Sequence, residues 1–236
     1  MCFDLDSSPP VPTLRGAAVD HEELVIESTD GNRFAAFAAL PEERTEKGIV
    51  VLPDVRGLYS FYEELALRFA ERGYPAVAFD FYGRTAGVGK RGAEFDFGPH
   101  REQATDEGVQ LDVGACIDWL RDHGVTRVFT VGFCFGGRHS WLAAAAHDLA
   151  GAVGFYGRPP VERAAEMRAP ILALQAGADD HISAEDNAAF DAALTVEHEV
   201  VTFPGAPHSF FDRKQEDYAD ASADAWRRVL AFVEAR

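Results

Sequence analysis

One short stretch places a cysteine where a nucleophile could act. The apolar run Val128–Val131 ends in G-F-C-F-G-G at 132–137, and an alanine-rich, helix-forming segment follows at once. A strand that passes directly into a helix through a glycine-flanked turn exposes the side chain at the centre of that turn. The pattern therefore predicts that Cys134 lies on a strand-to-helix elbow, where many hydrolases keep their nucleophile.

Two further strand ends carry the partners that a cysteine nucleophile needs. Asp179 follows the buried run Ile171–Ala176, and His208 follows the run His198–Phe203 through a Pro-Gly-Ala-Pro segment. Nucleophile, acid and histidine thus come in the chain order of an α/β-hydrolase triad. We expect Asp179 to fix the tautomer of His208, which acts as the base. Asp180 is the alternative acid, because the local register is open.

A thiol attacks a carbonyl carbon as the thiolate, so Cys134 needs surroundings that favour a negative charge. A protonated histidine and the N-terminus of a following helix both lower the pKa of a thiol. The backbone N–H groups of Phe135 and Val55, the latter in the loop after the first central strand, form the predicted oxyanion hole. A thiolate forms a thioacyl intermediate readily when the leaving group is stable, as in an activated ester or lactone, and less readily when it is an amine. This chemistry therefore favours esters or lactones over amides.

The elements that position these residues alternate between strands and helices. Continuous apolar runs such as 48–52 are typical of strands buried on both faces of a parallel sheet. The sequence predicts an α/β-hydrolase fold, a doubly wound, mostly parallel sheet of about eight strands flanked by helices. The expected strands are 24–27, 34–40, 48–52, 76–81, 127–131, 152–156, 171–176 and 198–203, and the expected helices are 58–72, 101–122, one from about 137, 184–194 and 218–235.

The length of 236 residues suits one such domain over 1–236. Residues 1–18, with three prolines, are expected to form an irregular N-terminal arm. The first two strands, joined through Asp30 and Gly31, are expected to pair as an antiparallel hairpin. The glycine-rich segment 84–100 is long enough to form a loop over the site, and a solvated connection is the alternative.

The composition of the chain limits the classes of molecule that it is expected to bind. A formal charge of −17 opposes binding to nucleic acid or anionic membranes, so an anionic small ligand would need a local basic pocket. Three cysteines without CxxC spacing argue against disulfides or structural zinc. Asp4 and Asp6 stand where a signal peptide would be basic. We expect a cytoplasmic monomer or weak dimer that acts on a small lactone or ester, without metal or cofactor.

These motifs resemble the dienelactone hydrolase family from about Glu23 onward. The most specific matches are G-F-C-F-G-G at 132–137, G-A-D-D-H-I at 177–182 and P-H-S-F at 207–210, with D-F-Y-G-R at 80–84 and L-P-D-V-R-G at 52–57 in support. The resemblance implies that a triad of Cys134, His208 and Asp179 opens a carboxylated lactone, of the dienelactone-to-maleylacetate type, through a thioacyl-enzyme.

The resemblance also points to substrate-binding residues. Asp54 stands where the best-known members carry a glutamate that interacts with the resting thiol and helps to activate it. Arg213 lies five residues beyond His208, one further than the corresponding arginine of well-studied members. For a carboxylated substrate, Arg84 and Arg213 are the expected clamps, because guanidinium binds carboxylate bidentately. Tyr82 is expected to assist as a hydrogen-bond donor.

Alternative interpretations stay open. The protein could be a broad carboxylesterase for neutral esters, or a non-catalytic, redox-sensing binding protein in which Cys134 is an oxidisable thiol. Cys116 is predicted to be a small buried hydrophobe. His181 lies beside two carboxylates but lacks a second ligand cluster for a metal. The arginines at 56, 138 and 158 are at least as easily explained as solvated or ion-paired side chains.

Overall fold

An eight-stranded sheet forms the centre of the fold. The computed structural model describes residues 3–15, 17, 19–43 and 45–236. The strands are β1 (Val19–Glu27), β2 (Arg33–Pro41), β3 (Lys47–Leu52), β4 (Ala76–Phe79), β5 (Arg127–Phe133), β6 (Gly151–Phe155), β7 (Ile171–Ala178) and β8 (His198–Pro207). Their spatial order is β1-β2-β4-β3-β5-β6-β7-β8. Among the described residues, the two pairs that involve β2 are antiparallel and the other five are parallel, so the predicted doubly wound sheet with an antiparallel hairpin is confirmed.

Helices cover both faces of this sheet. They are α1 (Ser60–Ala70), α2 (Gly83–Ala86), α3 (Gly98–Gln103), α4 (Asp106–Asp122), α5 (Phe135–Ala146), α6 (Ala184–Ala193) and α7 (Ala219–Glu234), with 3-10 turns at Val161–Glu166 and Glu216–Tyr218. Helices α1 and α7 pack in one hydrophobic cluster, and α4, α5 and α6 in the other. Successive residues of β3 alternate between the two clusters, which explains why its sequence is apolar throughout.

The predicted helix 101–122 is in fact interrupted. A short helix, α3, ends at Gln103, and α4 begins at Asp106 after the N-cap Thr105, whose side chain accepts a hydrogen bond from the N–H of Gly108. Capping of this kind satisfies a backbone donor that the first helical turn leaves without a partner. The break lets α3 and the start of α4 reach the edge of the sheet where the strands end.

The N-terminal segment forms no helix or strand over residues 3–15. Phe3 is 2% exposed and stacks on Phe61, with a ring-centroid distance of 4.0 Å. The hydroxyl of Ser7 donates to the carboxylate of Asp212 at 2.6 Å. The predicted irregular arm is therefore anchored where it is described, while residues 1, 2, 16 and 18 lie outside the described part.

Cys116 is fully buried in the cluster on the α4 side of the sheet, as predicted. Burial, together with the nearby charge of Asp112, raises the pKa of its thiol well above the usual range. Cys2 falls outside the described residues. No helix in the described ranges combines the length and apolar character needed to cross a membrane.

Candidate active site

Cys134 lies at a sharp turn between β5 and α5. Its φ of 53° and ψ of −112° fall in a region that non-glycine residues rarely adopt. A Cβ added to Gly132 would come within 2.0 Å of the carbonyl oxygen of Gly136, and one added to Gly136 within 2.2 Å of that of Leu52. The two glycines let β5, α5 and the end of β3 approach one another closely, so the elbow predicted from sequence is present.

Non-glycine residues with a positive φ, which strains the backbone, occur at this edge of the sheet. Across the described ranges, the non-glycine residues with positive φ are Cys134, Tyr156 and Ser209. Each follows a strand end, and Ser209 is the neighbour of His208, whose ring lies 5.0 Å from that of Tyr156. Strained backbone is costly and persists where the surrounding structure enforces it, frequently at functional sites. The strain therefore marks the same edge of the sheet as the cysteine.

Asp179 and His208 form a direct hydrogen bond. Nδ1 of His208 lies 2.7 Å from Oδ2 of Asp179, and the two side chains are 9% and 1% exposed, respectively. The other carboxylate oxygen of Asp179 accepts the backbone N–H of His181 at 2.9 Å. Burial opposes ionisation of Asp179, but these hydrogen bonds outweigh it and lower its pKa below the usual value. Asp179, rather than the exposed Asp180, is thus the acid that contacts the histidine.

A cleft of about 870 Å³ brings the predicted catalytic groups together. Cys134, Phe135, Val55 and His208 all line it. Phe135 is the first residue of α5, where the helix offers no acceptor for its N–H. The carbonyl of Val55 accepts a hydrogen bond of 2.7 Å from the hydroxyl of Tyr82, which fixes the loop on which Val55 lies.

Asp54 and Tyr82 contact this loop and are not among the residues that line the cleft, so their contact with substrate stays a prediction. Both side chains are buried, at 1% and 0% exposure. The carboxylate of Asp54 accepts the N–H of Arg56 at 2.8 Å and the hydroxyl of Tyr59 at 3.3 Å. Asp54 and Tyr82 thus both form hydrogen bonds to the backbone of the Val55 loop.

The two predicted carboxylate clamps also lie outside the cleft lining. Arg84 forms ion pairs with Asp30 and with the buried Asp112. Arg213 donates from its guanidinium to the carbonyl of Pro9 at 3.2 Å. Each guanidinium is thus engaged by another part of the chain, and the binding of substrate by Arg84 and Arg213 stays a prediction.

Other residues that sequence analysis did not assign to substrate line the cleft instead. Its walls include an apolar and aromatic group (Phe97, Tyr156, Pro159, Val161 and Ile182) and a polar group (Arg101, Asp106, Arg138, His139, Arg158, Glu162, His181 and Asp186). For several of these residues, their position in the chain could have indicated that they lie near the site. Arg158 follows a strand end, Arg138 and His139 follow the elbow directly, and Phe97 lies in the segment expected to cover the site.

His139 is buried in the cleft wall with an exposed fraction of 2%. Its Nε2 lies 3.8 Å from a carboxylate oxygen of Asp106. Burial, reinforced by the positive charge of Arg138 and opposed by Asp106, lowers the pKa of His139 to about 4. The imidazole is therefore neutral at physiological pH. Within the described ranges, no group of three or more metal-ligating side chains could hold an ion.

Comparison with known proteins agrees with this geometry. The sequence profile of the dienelactone hydrolase family matches residues 34–236. A protein of Salmonella typhi, provisionally named a carboxymethylenebutenolidase, is 30% identical over 231 residues, covering 86% of this chain and 83% of its own. A similarly named protein of Saccharolobus solfataricus is 27% identical, covering 90% of this chain and 98% of its own.

Solved structures show the same fold. A crystal structure from Klebsiella pneumoniae, described provisionally as a dienelactone hydrolase, superposes with a TM-score of 0.81 at 27% identity, covering 93% of this chain and all of the other. A dienelactone hydrolase-like promiscuous phosphotriesterase from metagenomic libraries gives a TM-score of 0.79 at 21% identity, covering 92% of this chain and 98% of its own. The second likeness concerns the fold alone.

Proposed function

This chain belongs to the dienelactone hydrolase family and is a hydrolase that acts on esters, and we propose that it opens a small carboxylated lactone or ester by covalent catalysis at Cys134. The observation that carries the proposal is the bond of 2.7 Å between Asp179 and His208 in the wall of the cleft that Cys134 lines. A buried carboxylate that orients a histidine beside a nucleophile at an elbow is the arrangement required for acyl transfer.

Proton movements in the proposed mechanism follow from the orientation of His208. Because Nδ1 donates to Asp179, Nε2 takes the proton of the Cys134 thiol. The sulfur then bonds to the ester carbonyl carbon, and the negative charge moves to the carbonyl oxygen. The N–H groups of Phe135 and Val55 stabilise that oxyanion, each by roughly 3–4 kcal/mol.

Collapse of the tetrahedral intermediate breaks the carbon–oxygen bond of the ester. The leaving oxygen receives the proton from His208 and leaves a thioacyl-enzyme on Cys134. His208 next removes a proton from water, which attacks the thioester and releases the acid while sulfur recovers the proton. In a lactone the leaving oxygen stays on the same molecule, so the product is a single opened chain.

The test measures hydrolysis of a dienelactone and of p-nitrophenyl esters by the wild type and by Cys134→Ala. We expect kcat/KM to fall by at least about 10³-fold in the variant, since removal of a triad member leaves only binding and oxyanion stabilisation. Intact-protein mass spectrometry of the wild type is expected to show an acyl adduct at Cys134. Cys116→Ala is the matched control, because Cys116 is buried on another face of the sheet. Unchanged turnover in Cys134→Ala contradicts the proposed nucleophile.

A second candidate is a broader carboxylesterase for neutral esters. Phe97, Val161 and Ile182 give the cleft an apolar wall, and Arg138 is paired with Glu162 at 2.9 Å. A neutral acyl chain could bind to such a wall through its apolar surface alone. Equal kcat/KM for neutral and anionic esters of the same length would favour this candidate.

A further inference from the structure

The arginines that would bind a substrate carboxylate by family resemblance are engaged elsewhere. Arg84 is fixed by Asp30 and Asp112, and Asp112 also accepts the hydroxyl of Ser28. The segment after His208 is tied to the N-terminal arm, because Asp212 accepts the Ser7 hydroxyl and Arg213 contacts the Pro9 carbonyl. An anion that enters the cleft therefore needs a different source of positive charge.

The cleft contains such a source in two arginines. Arg101 on α3 and Arg158 just after β6 both line it, and both residues are exposed. Within the described part of the chain, neither guanidinium forms a hydrogen bond or an ion pair. Arg138, by contrast, lies 2.9 Å from Glu162 and 3.5 Å from Asp106, so its charge is compensated. The available positive charge of the cleft is thus concentrated on Arg101 and Arg158.

The overall charge makes this local arrangement significant. A chain with 39 acidic and 22 basic residues repels anionic ligands at long range. The two guanidinium groups, which form no ion pair within the described residues, oppose that repulsion locally, and each can bind a carboxylate through two parallel hydrogen bonds. Such an arrangement distinguishes an anionic substrate from a neutral one of the same size.

We infer that Arg101 and Arg158 form an anion subsite for the carboxylate of an ester or lactone whose carbonyl carbon lies at Cys134. The inference rests on the proposed function and specifies its substrate. Phe97 and Val161 line the same cleft, so the substrate has an apolar spacer between carboxylate and ester. A volume of about 870 Å³ accommodates such a spacer, as it lies near the upper end of the range of roughly 300–1,000 Å³ for small-molecule sites.

The test compares two esters of equal chain length. The monoester of adipic acid with p-nitrophenol carries a terminal carboxylate, and p-nitrophenyl hexanoate is its neutral counterpart. For each enzyme, the ratio of kcat/KM for the anionic ester to that for the neutral ester is measured. We expect the ratio to fall about fivefold in Arg101→Gln and in Arg158→Gln, and on the order of twentyfold in the double variant, because these charges are partly screened by solvent.

Arg127→Gln serves as the control, because this exposed arginine is the first residue of β5, at the end of that strand away from Cys134. Its ratio is expected to stay at the wild-type value. Arg84→Gln tests the alternative clamp directly. The inference is overturned if the ratio falls in Arg84→Gln and not in the double variant, or if the wild type hydrolyses both esters with equal kcat/KM.

A second measurement does not depend on hydrolysis. Adipate is added while iodoacetamide alkylates Cys134, and the labelled peptide is quantified by mass spectrometry. We expect adipate to slow alkylation in the wild type and not in the Arg101→Gln, Arg158→Gln double variant. Protection that depends on the two arginines, in a protein that hydrolyses neither ester, would support the subsite and refute the hydrolase proposal. Equal protection of wild type and double variant, or none in the wild type, overturns the subsite.

Discussion

At the scale of single residues, the candidate site depends on which carboxylate meets His208. Asp179 and Asp180 are adjacent, yet only Asp179 has the buried side chain and the bond of 2.7 Å to the imidazole. Its lowered pKa keeps it ionised at neutral pH, so it accepts a hydrogen bond from Nδ1–H and, in the proposed mechanism, stabilises the positive charge that His208 acquires. The two neighbouring acids are therefore expected to differ sharply in importance.

Asp179→Asn is predicted to lower kcat by about 10²- to 10⁴-fold, because an amide that donates to Nδ1 stabilises the wrong tautomer of the histidine. Asp180→Asn, which makes the same chemical change one position later, is predicted to stay within a few-fold of wild type. Steady-state kinetics on p-nitrophenyl esters measure both values. Equal losses in the two variants would refute the assignment of the acid.

At the scale of elements, contacts between backbones set the position of Cys134. Helix α5 starts so close to β3 that the N–H of Gly136 donates to the carbonyl of Pro53 at 3.0 Å. The loop that carries Val55 begins directly after this contact. The elbow and the loop of the predicted oxyanion hole are thus joined by main-chain atoms that cannot move independently.

Gly136→Ala is predicted to destabilise the fold by at least ~3 kcal/mol, since its Cβ would lie 2.2 Å and 2.3 Å from the carbonyl oxygens of Leu52 and Pro53. Gly92→Ala is the control, because that Cβ would meet no atom within 4 Å. Urea unfolding followed by circular dichroism measures both free energies. A loss of less than about 1 kcal/mol at Gly136 would show that the elbow can relax.

The three catalytic candidates could be predicted from the sequence because each signal is local. Cys134, Asp179 and His208 each follow an apolar run that ends at a strand terminus. The ion pairs of Arg84, by contrast, could not be predicted, because the acids that contact it are 54 and 28 residues away in the chain. Ion pairs between residues so far apart in sequence depend on how α4 packs against the first hairpin. A local sequence pattern does not predict that packing.

At the scale of the whole molecule, the N-terminal segment contributes to the core behind the site. The ring of Phe3 lies 4.0 Å from Phe61, 6.2 Å from Phe133 and 6.1 Å from Tyr156. Phe133 immediately precedes the nucleophile, and Tyr156 contacts the ring of His208. The segment therefore packs against residues next to the nucleophile and the histidine of the candidate site.

Phe3→Ala is predicted to lower the free energy of unfolding by about 3 kcal/mol, as is typical for truncation of a buried phenylalanine. Leu14→Ala, in the same segment but 45% exposed, is predicted to change it by less than about 0.5 kcal/mol. Urea denaturation gives both values. A small change in the free energy of unfolding for Phe3→Ala would mean that the neighbouring aromatic side chains repack to fill the space, and would contradict the prediction.

His139 is also predicted to destabilise the fold progressively as the pH falls from 6.5 towards 4. In this range an unfolded histidine takes up a proton, whereas folded His139, with a pKa of about 4, does not. The unfolded state then binds more protons, so protonation favours unfolding. In His139→Leu the slope of unfolding free energy against pH is expected to decrease by up to about 1.4 kcal/mol per pH unit. The exposed His21→Gln is the control, and an unchanged slope in His139→Leu would contradict the prediction.

The bond between Ser7 and Asp212 has a consequence for biosynthesis. The two residues are 205 positions apart, so Ser7 cannot reach this partner until synthesis has passed Asp212. The nucleophile elbow and the histidine that serves it are likewise joined only after β8 has formed. In the proposed mechanism, ester hydrolysis thus requires that synthesis has passed His208, and a nascent chain that ends before Asp212 lacks the carboxylate that Ser7 contacts in the folded protein.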